Sequence, residues 1–591
     1  MTPRREIARA TALALAVAGL WCVVYGRTGG AAWRTPIDYH GDAWPTLALL
    51  KAAQDGHMSP FGFVSVPELG APYGADWNAY LRQHKLQYWL AGGAARVIGL
   101  FPAANLLLLL AAVLAAVSFY AVSRYFRARP EWALAGAAAF ALSPYFFYRS
   151  LNHLTLSFYW PLPLAILVVS WAFGHRGLPW RSKRFAAAAA IVVTTGLHNI
   201  YYAGLLAQFL GLAALAHALR PRNGNLARTL PSLALLLLLL GTVLADNANV
   251  VAAAWRGDAR EAIARPYGNL ERYALKPIEL LLPVSHPGLA PWAPLGATYL
   301  RSALYRGEMG AAYLGVVGVV ALVWLSAAAT AAYLRRPKGF VPAAFLAVAW
   351  ILADSVVGGL NGILGTLGFV WFRATSRYSI WILALVLLWA VVRVSRTRFA
   401  GRRGARLAAL AIGGMALVDQ LPPPRSSAHL ARTGDVVASD LTLVRALESA
   451  LPGGAMLFQL PVVDFPEGTP VRRATDYEHL RPYLHASRLR FSYGSDKGRP
   501  RDGWQRRAEA LEPEALADAL ERIGFSGLLV NRKAYEDGAS ALRERLAASG
   551  RQEAWQSPDG DFLFVRLTPA AQPAPPDEVI PQAPETPVAA P

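Results

Sequence analysis

The chain is short of charge, of acid and of cysteine. Charged residues make up 16% of its 591 positions, where a soluble protein carries about 25%. Too little polar surface is left to keep a body of this size in water. Apolar residues take the difference, at 54%. They are clustered, in runs such as AANLLLLLAAVLAAVSFYAV (103–122) and TLPSLALLLLLLGTVLA (229–245). Runs of about 20 apolar residues match the thickness of a bilayer. The single cysteine, Cys22, lies inside the first apolar run. That excludes an intrachain disulfide framework and a cysteine zinc site, and Cys22 reads as a small buried hydrophobe.

Acids number 38 against 58 basic residues, a net charge of +20. Such an excess would suit nucleic acid. Here, however, Arg and Lys gather in short loops between apolar runs, which is the positive-inside pattern, so no nucleic-acid partner is expected. There is also no Walker A loop, which argues against ATP-driven transport by this chain. Gly-x-Ser-x-Gly, His-Glu-x-x-His and a dinucleotide-binding glycine fingerprint after a strand are all missing. No internal repeat is seen.

What is there reads as an α-helical polytopic membrane protein with a soluble α/β domain at its C-terminus. The apolar pattern gives about eleven spans: 8–26, 103–123, 132–148, 155–173, 185–198, 201–218, 229–246, 311–333, 341–356, 379–395 and 406–420. The start MTPRR followed by apolar 11–25 would suit a secretory leader, but VVYGRTGG offers no small-x-small cleavage site, so the segment reads as a retained first span. The loops RYFRARPEW, HRGLPWRSKRF, RPRNGNLAR, LRRPKGF and RVSRTRFAGRRGAR fall on the side of MTPRR. This predicts a cytoplasmic N-terminus and an odd number of spans. Only HNI separates 185–198 from 201–218, giving a hairpin or a broken helix.

The long segments lie on the opposite side. Residues 1–420 form the membrane domain, with large loops at 27–102, 247–310 and 357–378. In the first loop AWPTLALLKAAQDG has helical spacing and ends in glycine. LQYWLAGGAARVIGLF is a second apolar-faced helix at the membrane interface, with Trp44, Tyr88 and Trp89 suited to headgroup depth. LPPPRSS opens a linker over 421–429. Residues 430–568 read as the α/β domain, with strands GAMLFQLPVV and SGLLVNR, and the Pro/Ala-rich 569–591 as disordered.

The chemistry-bearing residues sit where the chain leaves the apolar runs. PIDYHGDAW (36–44) holds Asp38, His40 and Asp42. A carboxylate there can act as a general base, bind a cation or orient a hydroxyl; Asp42 can also simply cap the helix that follows. YRSLNHLTLSFYW places Arg149, Asn152 and His153 at the end of one span, and TTGLHNIYY places His198 and Asn199 at the end of another. In GFVWFRATSRYS, Arg373 and Arg377 are four residues apart and share a face if the stretch is helical. Two guanidiniums suit a phosphate or diphosphate, or else anchor the helix to anionic headgroups. ARPYGNLERYALKPIELLLPVSHP carries Arg265, Tyr267, Glu271, Tyr273, Lys276 and His286, a mixed face that suits a sugar or covers the bundle. DYEHLRPYLHASRLRFSYGSDKGR (476–499) has a similar mixture, for an acceptor or for docking. His153 and His198 lack a tight ligand spacing with Asp42, so no metal site is assigned and a divalent cation stays open as a cofactor.

A first span, then GDAWPTLALLKAAQDGH opening a helix, then HKLQYWLAGGAARVIGLF leading into span two resembles the GT-C superfamily of integral-membrane glycosyltransferases, and within it bacterial membrane proteins of the YfhO-like kind. The likeness extends through RYFRARPEWALAGAAAFALSPY and covers about residues 1–400. It implies a bacterial inner-membrane transferase that takes a sugar from a polyprenyl-phosphate donor to a periplasmic glycan, lipid or protein acceptor. It also implies that Asp42 or Asp38 is the base, and that Arg373 and Arg377 bind the donor phosphate. Substrate contacts are then expected from His40, Arg149, His153, His198, Tyr267 and Lys276. A single displacement would invert the sugar. The rival reading is a non-catalytic transporter or assembly factor for lipid-linked glycans or surface polymer, which would need charged groups along a path through mid-membrane.

Overall fold

A computed structural model describes residues 3–78, 85–174, 177–219, 225–256, 263, 265–283, 293–305, 307–335, 341–498 and 503–580. The chain forms two compact units. The first is Met1–Ala32, Asn105–Asp246 and Arg265–Ser426; the second is Trp33–Ala104, Asn247–Ala264 and Ser427–Pro591.

Among the described residues, seven helices are long and apolar enough to cross a membrane: Pro3–Val24, Leu100–Tyr125, Ile200–Ala218, Leu226–Asp246, Gly315–Arg335, Ala343–Thr366 and Thr375–Ser395. This is a multi-pass membrane protein. The difference from eleven spans lies in four segments. The expected span 132–148 is two helices, Pro130–Ala141 and Pro144–Arg149, with Ser143 extended between them. The residue before a proline is pushed out of helical geometry, which accounts for the break. Span 155–173 is also two helices, Leu154–Ser157 and Pro161–Ala172, with the helical geometry lost at Phe158. A helix of 12 residues, such as Pro161–Ala172, rises about 18 Å, short of a hydrocarbon core of about 30 Å. Residues 185–198 give the 14-residue helix Lys183–Gly196, and 406–420 the 18-residue helix Arg403–Gln420. The HNI break is a true one: the Asn199 side chain accepts a hydrogen bond from Tyr201 N at 3.0 Å and caps the helix Ile200–Ala218.

The first unit packs around the helix Ser379–Ser395, which is buried on nearly every side from Ser379 to Leu388. Small residues allow the approach. A methyl group added at Gly136 would stand 2.7 Å from Val391, and one at Gly318 2.8 Å from Leu383.

The second unit is built on a five-stranded sheet. Its strands are β3 (Met456–Leu460), β4 (Arg490–Phe491), β5 (Phe525–Asn531), β6 (Glu553–Gln556) and β7 (Phe562–Arg566), in the order β4-β3-β5-β7-β6. β3 runs parallel to β4 and β5, while β7 is antiparallel to β5 and β6. β5 is buried along its whole length, as the continuous apolar run SGLLV requires. Its core includes Phe458, Leu520, Ile523, Leu528, Val530, Leu546 and Val565, each worth about 1.5–3 kcal/mol on burial.

Three boundaries differ from the sequence reading. The first loop belongs to this second unit. Gly70 N and Ala71 N donate to Tyr493 O and Phe491 O, and Phe491 N donates to Glu68 O, so the loop's backbone is satisfied by the α/β domain. The ribbon β1 (Ser65–Val66) and β2 (Ala75–Asp76) brackets that edge. The linker is shorter than 421–429, because the helix Ser427–Ala450 begins as soon as the prolines end. The Pro/Ala-rich tail is ordered as far as residue 580. Ala570 N and Ala574 N bond to Glu521 O and Arg522 O, and Ile580 is buried in the sheet core. Residues 581–591 lie outside the described residues.

Candidate functional site

The acidic segment ends in a closed turn. Gly41 has φ +52, a left-handed conformation open to glycine, and Ala43 N and Trp44 N bond back to His40 O and Gly41 O. The helix Ala43–Asp55 then runs to Gly56, whose left-handed backbone caps it. Both helices expected in this loop are present, the second as Lys85–Ile98. They touch at Gly92, where an added methyl would lie 2.6 Å from Ala53.

The two acids differ in environment. Asp38 is buried between Ile37 and Tyr39, at 4% exposure, while Asp42 and His40 are exposed. Asp42 holds the N-cap position, yet its backbone is helical and its side chain makes no capping bond. The capping reading of this residue is therefore not how its carboxylate is used. Tyr39, the residue between the acids, donates to Asp440 Oδ2 at 2.8 Å and lies 3.1 Å from His485 Nε2.

In the first unit, one carboxylate gathers two guanidiniums. Glu308 accepts from Arg149 Nη2 at 2.7 Å and from Arg377 Nη2 at 2.5 Å and Nε at 3.1 Å, with Ser376 Oγ at 3.4 Å. Arg149 is fully buried and stacks over Tyr145, and Arg377 stacks over Tyr201 at 4.7 Å. Two cations on one anion leave a positive surplus. Burial alone would push Glu308 up, but Arg149 and Arg377 outweigh it and hold its carboxyl well below the usual range. His153, beside them, is pushed down to about 3 by burial and then by Arg149. It is therefore neutral at pH 7, and the surplus stays with the guanidiniums. Among the described residues, Arg149 Nε and Nη1 have no partner.

The basic pair is thus Arg149 with Arg377. Arg373 and Arg377 do not share a helical face: Arg373 precedes a 3-10 turn, Thr375–Tyr378, and lies over Tyr273 at 5.3 Å. His198 and Lys276 both bond to main chain, and Lys276 Nζ also lies 3.9 Å from Glu279 Oε1. His198 Nδ1 meets Thr194 O at 2.6 Å, and Lys276 Nζ donates to Arg272 O and Ala274 O at 3.0 and 3.3 Å. Both hold turns of the backbone. Tyr267 is exposed, and its ring lies against Gly365. Beside it, Pro266, Asn269, Arg272, Arg301 and Tyr305 line an open cleft of about 840 Å³. Among the described residues, no three His, Cys, Asp or Glu side chains group as metal ligands.

Sequence reasoning missed Glu308, Tyr39 and Asp440, and read Arg481 only as part of the mixed stretch 476–499. Glu308 is the one acid of LYRGEMG, and nothing local marks it as the partner of arginines 159 and 69 residues away. Tyr39 was legible only as a neighbour of the acids.

A multi-pass helical membrane domain joined to an α/β unit is the class of protein this fold defines. No family model and no curated protein matches the chain. Among solved structures it is similar to the arabinofuranosyltransferase AftD from Mycobacteria, at 15% identity and a TM-score of 0.48 over 97% of this chain and 40% of that one. It is similar to the oligosaccharyltransferase of Archaeoglobus fulgidus in the apo form, at 14% identity and a TM-score of 0.44 over 95% of this chain and 75% of that one. It is also similar to ArnT from Cupriavidus metallidurans bound to undecaprenyl phosphate, at 12% identity and a TM-score of 0.41 over 97% of this chain and 100% of that one. The chain spans 40% of the length of AftD. The fold stands on this chain's own helices and sheet.

Proposed function

We propose that the chain is a membrane glycosyltransferase, moving a sugar from a polyprenyl-phosphate donor to a hydroxyl on a cell-envelope glycan, lipid or protein. The observation that carries this reading is the pair of acids before the helix Ala43–Asp55: Asp38 is buried, and Asp42 is exposed on the closed turn. The sequence resemblance to the GT-C superfamily supports the same role. Asp42 takes the proton of the acceptor hydroxyl. The acceptor oxygen bonds to the anomeric carbon as the carbon–oxygen bond to phosphate breaks, and polyprenyl phosphate leaves with the electron pair. One displacement inverts the configuration.

Roles are assigned within each unit. In the second, His40 contacts the acceptor and Asp38 supports Asp42. In the first, Arg149 and Arg377, with surplus charge over Glu308, bind the donor phosphate together with Arg373; His153 and Tyr267 contact the sugar. The proposed setting is a bacterial inner membrane, with the N-terminus cytoplasmic and the second unit outside the cytoplasm.

Purified protein would be tested against a panel of radiolabelled polyprenyl-phosphate sugars, beside Asp42→Asn. Label moving to an acceptor with wild type, with kcat lowered about 100-fold or more in the variant, is the expected result. Full transfer by Asp42→Asn would move the base to Asp38. Donor binding without turnover by wild type would favour the transporter.

A further inference from the structure

Tyr39 is placed so that one hydroxyl governs the geometry of the acidic turn. Its ring packs edge-on against Trp44 at 6.1 Å and against Phe101 at 6.0 Å. Tyr39 and Trp44 therefore close the turn 39–44 from both ends, with Asp42 exposed between them. The hydroxyl reaches the α/β domain, where Asp440 accepts its proton and is itself held by Arg481, Nε to Oδ2 at 2.9 Å and Nη2 to Oδ1 at 2.8 Å. Arg481 is buried at 1% exposure and also donates to Asp559 at 2.8 Å and Asp561 at 2.6 Å. Asp440 comes from the helix Ser427–Ala450, and Asp559 and Asp561 from the turn before β7. His485, one helical turn beyond Arg481, faces Tyr39 and Phe101 as well.

A buried guanidinium among three carboxylates is a poor way to gain stability, since apolar residues in the same space often do as well or better. What such a node supplies is fixed direction. Both oxygens of Asp440 are committed to Arg481, so Oδ2 presents one defined acceptor to Tyr39. We propose that Tyr39 is a positioning residue, anchored by Asp440 and Arg481, and that through it the C-terminal domain sets the orientation of the Asp38–Asp42 segment toward its substrate. The proposal rests on the reading of this segment as the proton acceptor. It gives the C-terminal domain a share in the reaction without contact with the reacting atoms, because a small misplacement of a catalytic group is enough to cost about 100-fold in rate.

Tyr39→Phe is the clean variant, since it keeps the ring contacts and removes only the hydroxyl. Two readouts are made on the full chain in detergent. Hydrogen exchange over residues 34–46 needs no substrate; it should rise in Tyr39→Phe while β5 and the thermal midpoint stay as in wild type. Transfer from the radiolabelled polyprenyl-phosphate panel should show kcat lowered on the order of 10- to 100-fold with KM for the donor unchanged. Asp440→Asn should mimic it, and the double variant should be no slower than the worse single one. Unchanged exchange at 34–46, or an unchanged kcat in an active enzyme, overturns the positioning role. If wild type transfers from no donor, the glycosyltransferase reading fails, and the exchange measurement still decides whether Tyr39 holds the segment.

Discussion

At the scale of single residues, the most exacting demand is at Glu308. It neutralises part of a buried double charge, and both arginines depend on it. Glu308→Gln leaves two guanidiniums facing a neutral amide, and removing one partner of a buried ion pair costs about 3–5 kcal/mol. The thermal midpoint in detergent should fall steeply, and Glu308→Gln with Arg149→Met should recover part of the loss. The sign of its pH dependence follows from a depressed folded pKa: the stabilisation is present above the unfolded value of 4.5 and is lost only as pH falls through the lower folded value. The buried histidines act in the same direction, at higher pH. Burial pushes His479 and His485 down to about 4, below the ordinary 6.5. The unfolded chain therefore takes up protons first on acidification, and the second unit should lose stability between pH 6.5 and 4. Unfolding followed at pH 7 and pH 5 checks this, and the pH slope should flatten in His485→Gln.

At the scale of elements, two adjacent glycines separate packing from propensity. Gly92 faces Ala53 across the contact of the helices Ala43–Asp55 and Lys85–Ile98, while nothing lies within 4 Å of a methyl added at Gly93. Gly93→Ala should stabilise that helix by up to about 1 kcal/mol. Gly92→Leu should separate the two helices and lower stability by about 1–3 kcal/mol or more. Thermal unfolding of the two variants side by side makes the comparison. Both helices were legible in the sequence, because apolar spacing, a following glycine and a proline confined to the first turn of the first helix all agreed. Their contact was not: AGG reads the same whichever glycine faces a neighbour. The broken helix at Ser143–Pro144 teaches the converse. A run such as ALAGAAAFALSPYFF is apolar throughout, so hydropathy carries it across a break that the proline itself announces.

At the scale of the whole molecule, the second unit is assembled from three stretches of chain, one of them ahead of most membrane helices. Residues 68–71 exchange backbone hydrogen bonds with 491–493, and Trp77 Nε1 donates to Gly494 O at 2.7 Å. A chain ending at 426 leaves those groups unpaired. Limited proteolysis of such a truncation in membranes should open new cleavage sites within 33–104, while the helices of the first unit remain protected. If 33–104 stays resistant, the loop folds without its partner.

The sequence by itself determined the membrane character, the existence of an α/β domain, the two helices of the first loop and the acidic turn that opens them. Those features are written in local composition, in period and in single residues such as Gly56. Tertiary structure alone decided that Asp38 is buried and Asp42 exposed, that Arg377 pairs with Glu308 and Arg149 instead of lying along a face with Arg373, and that Tyr39 is held by Asp440 and Arg481. The reason is physical. Hydropathy and helix spacing act over a few residues, whereas the partner of a buried charge is whichever opposite charge the fold brings within about 3 Å, and the distance along the chain does not enter.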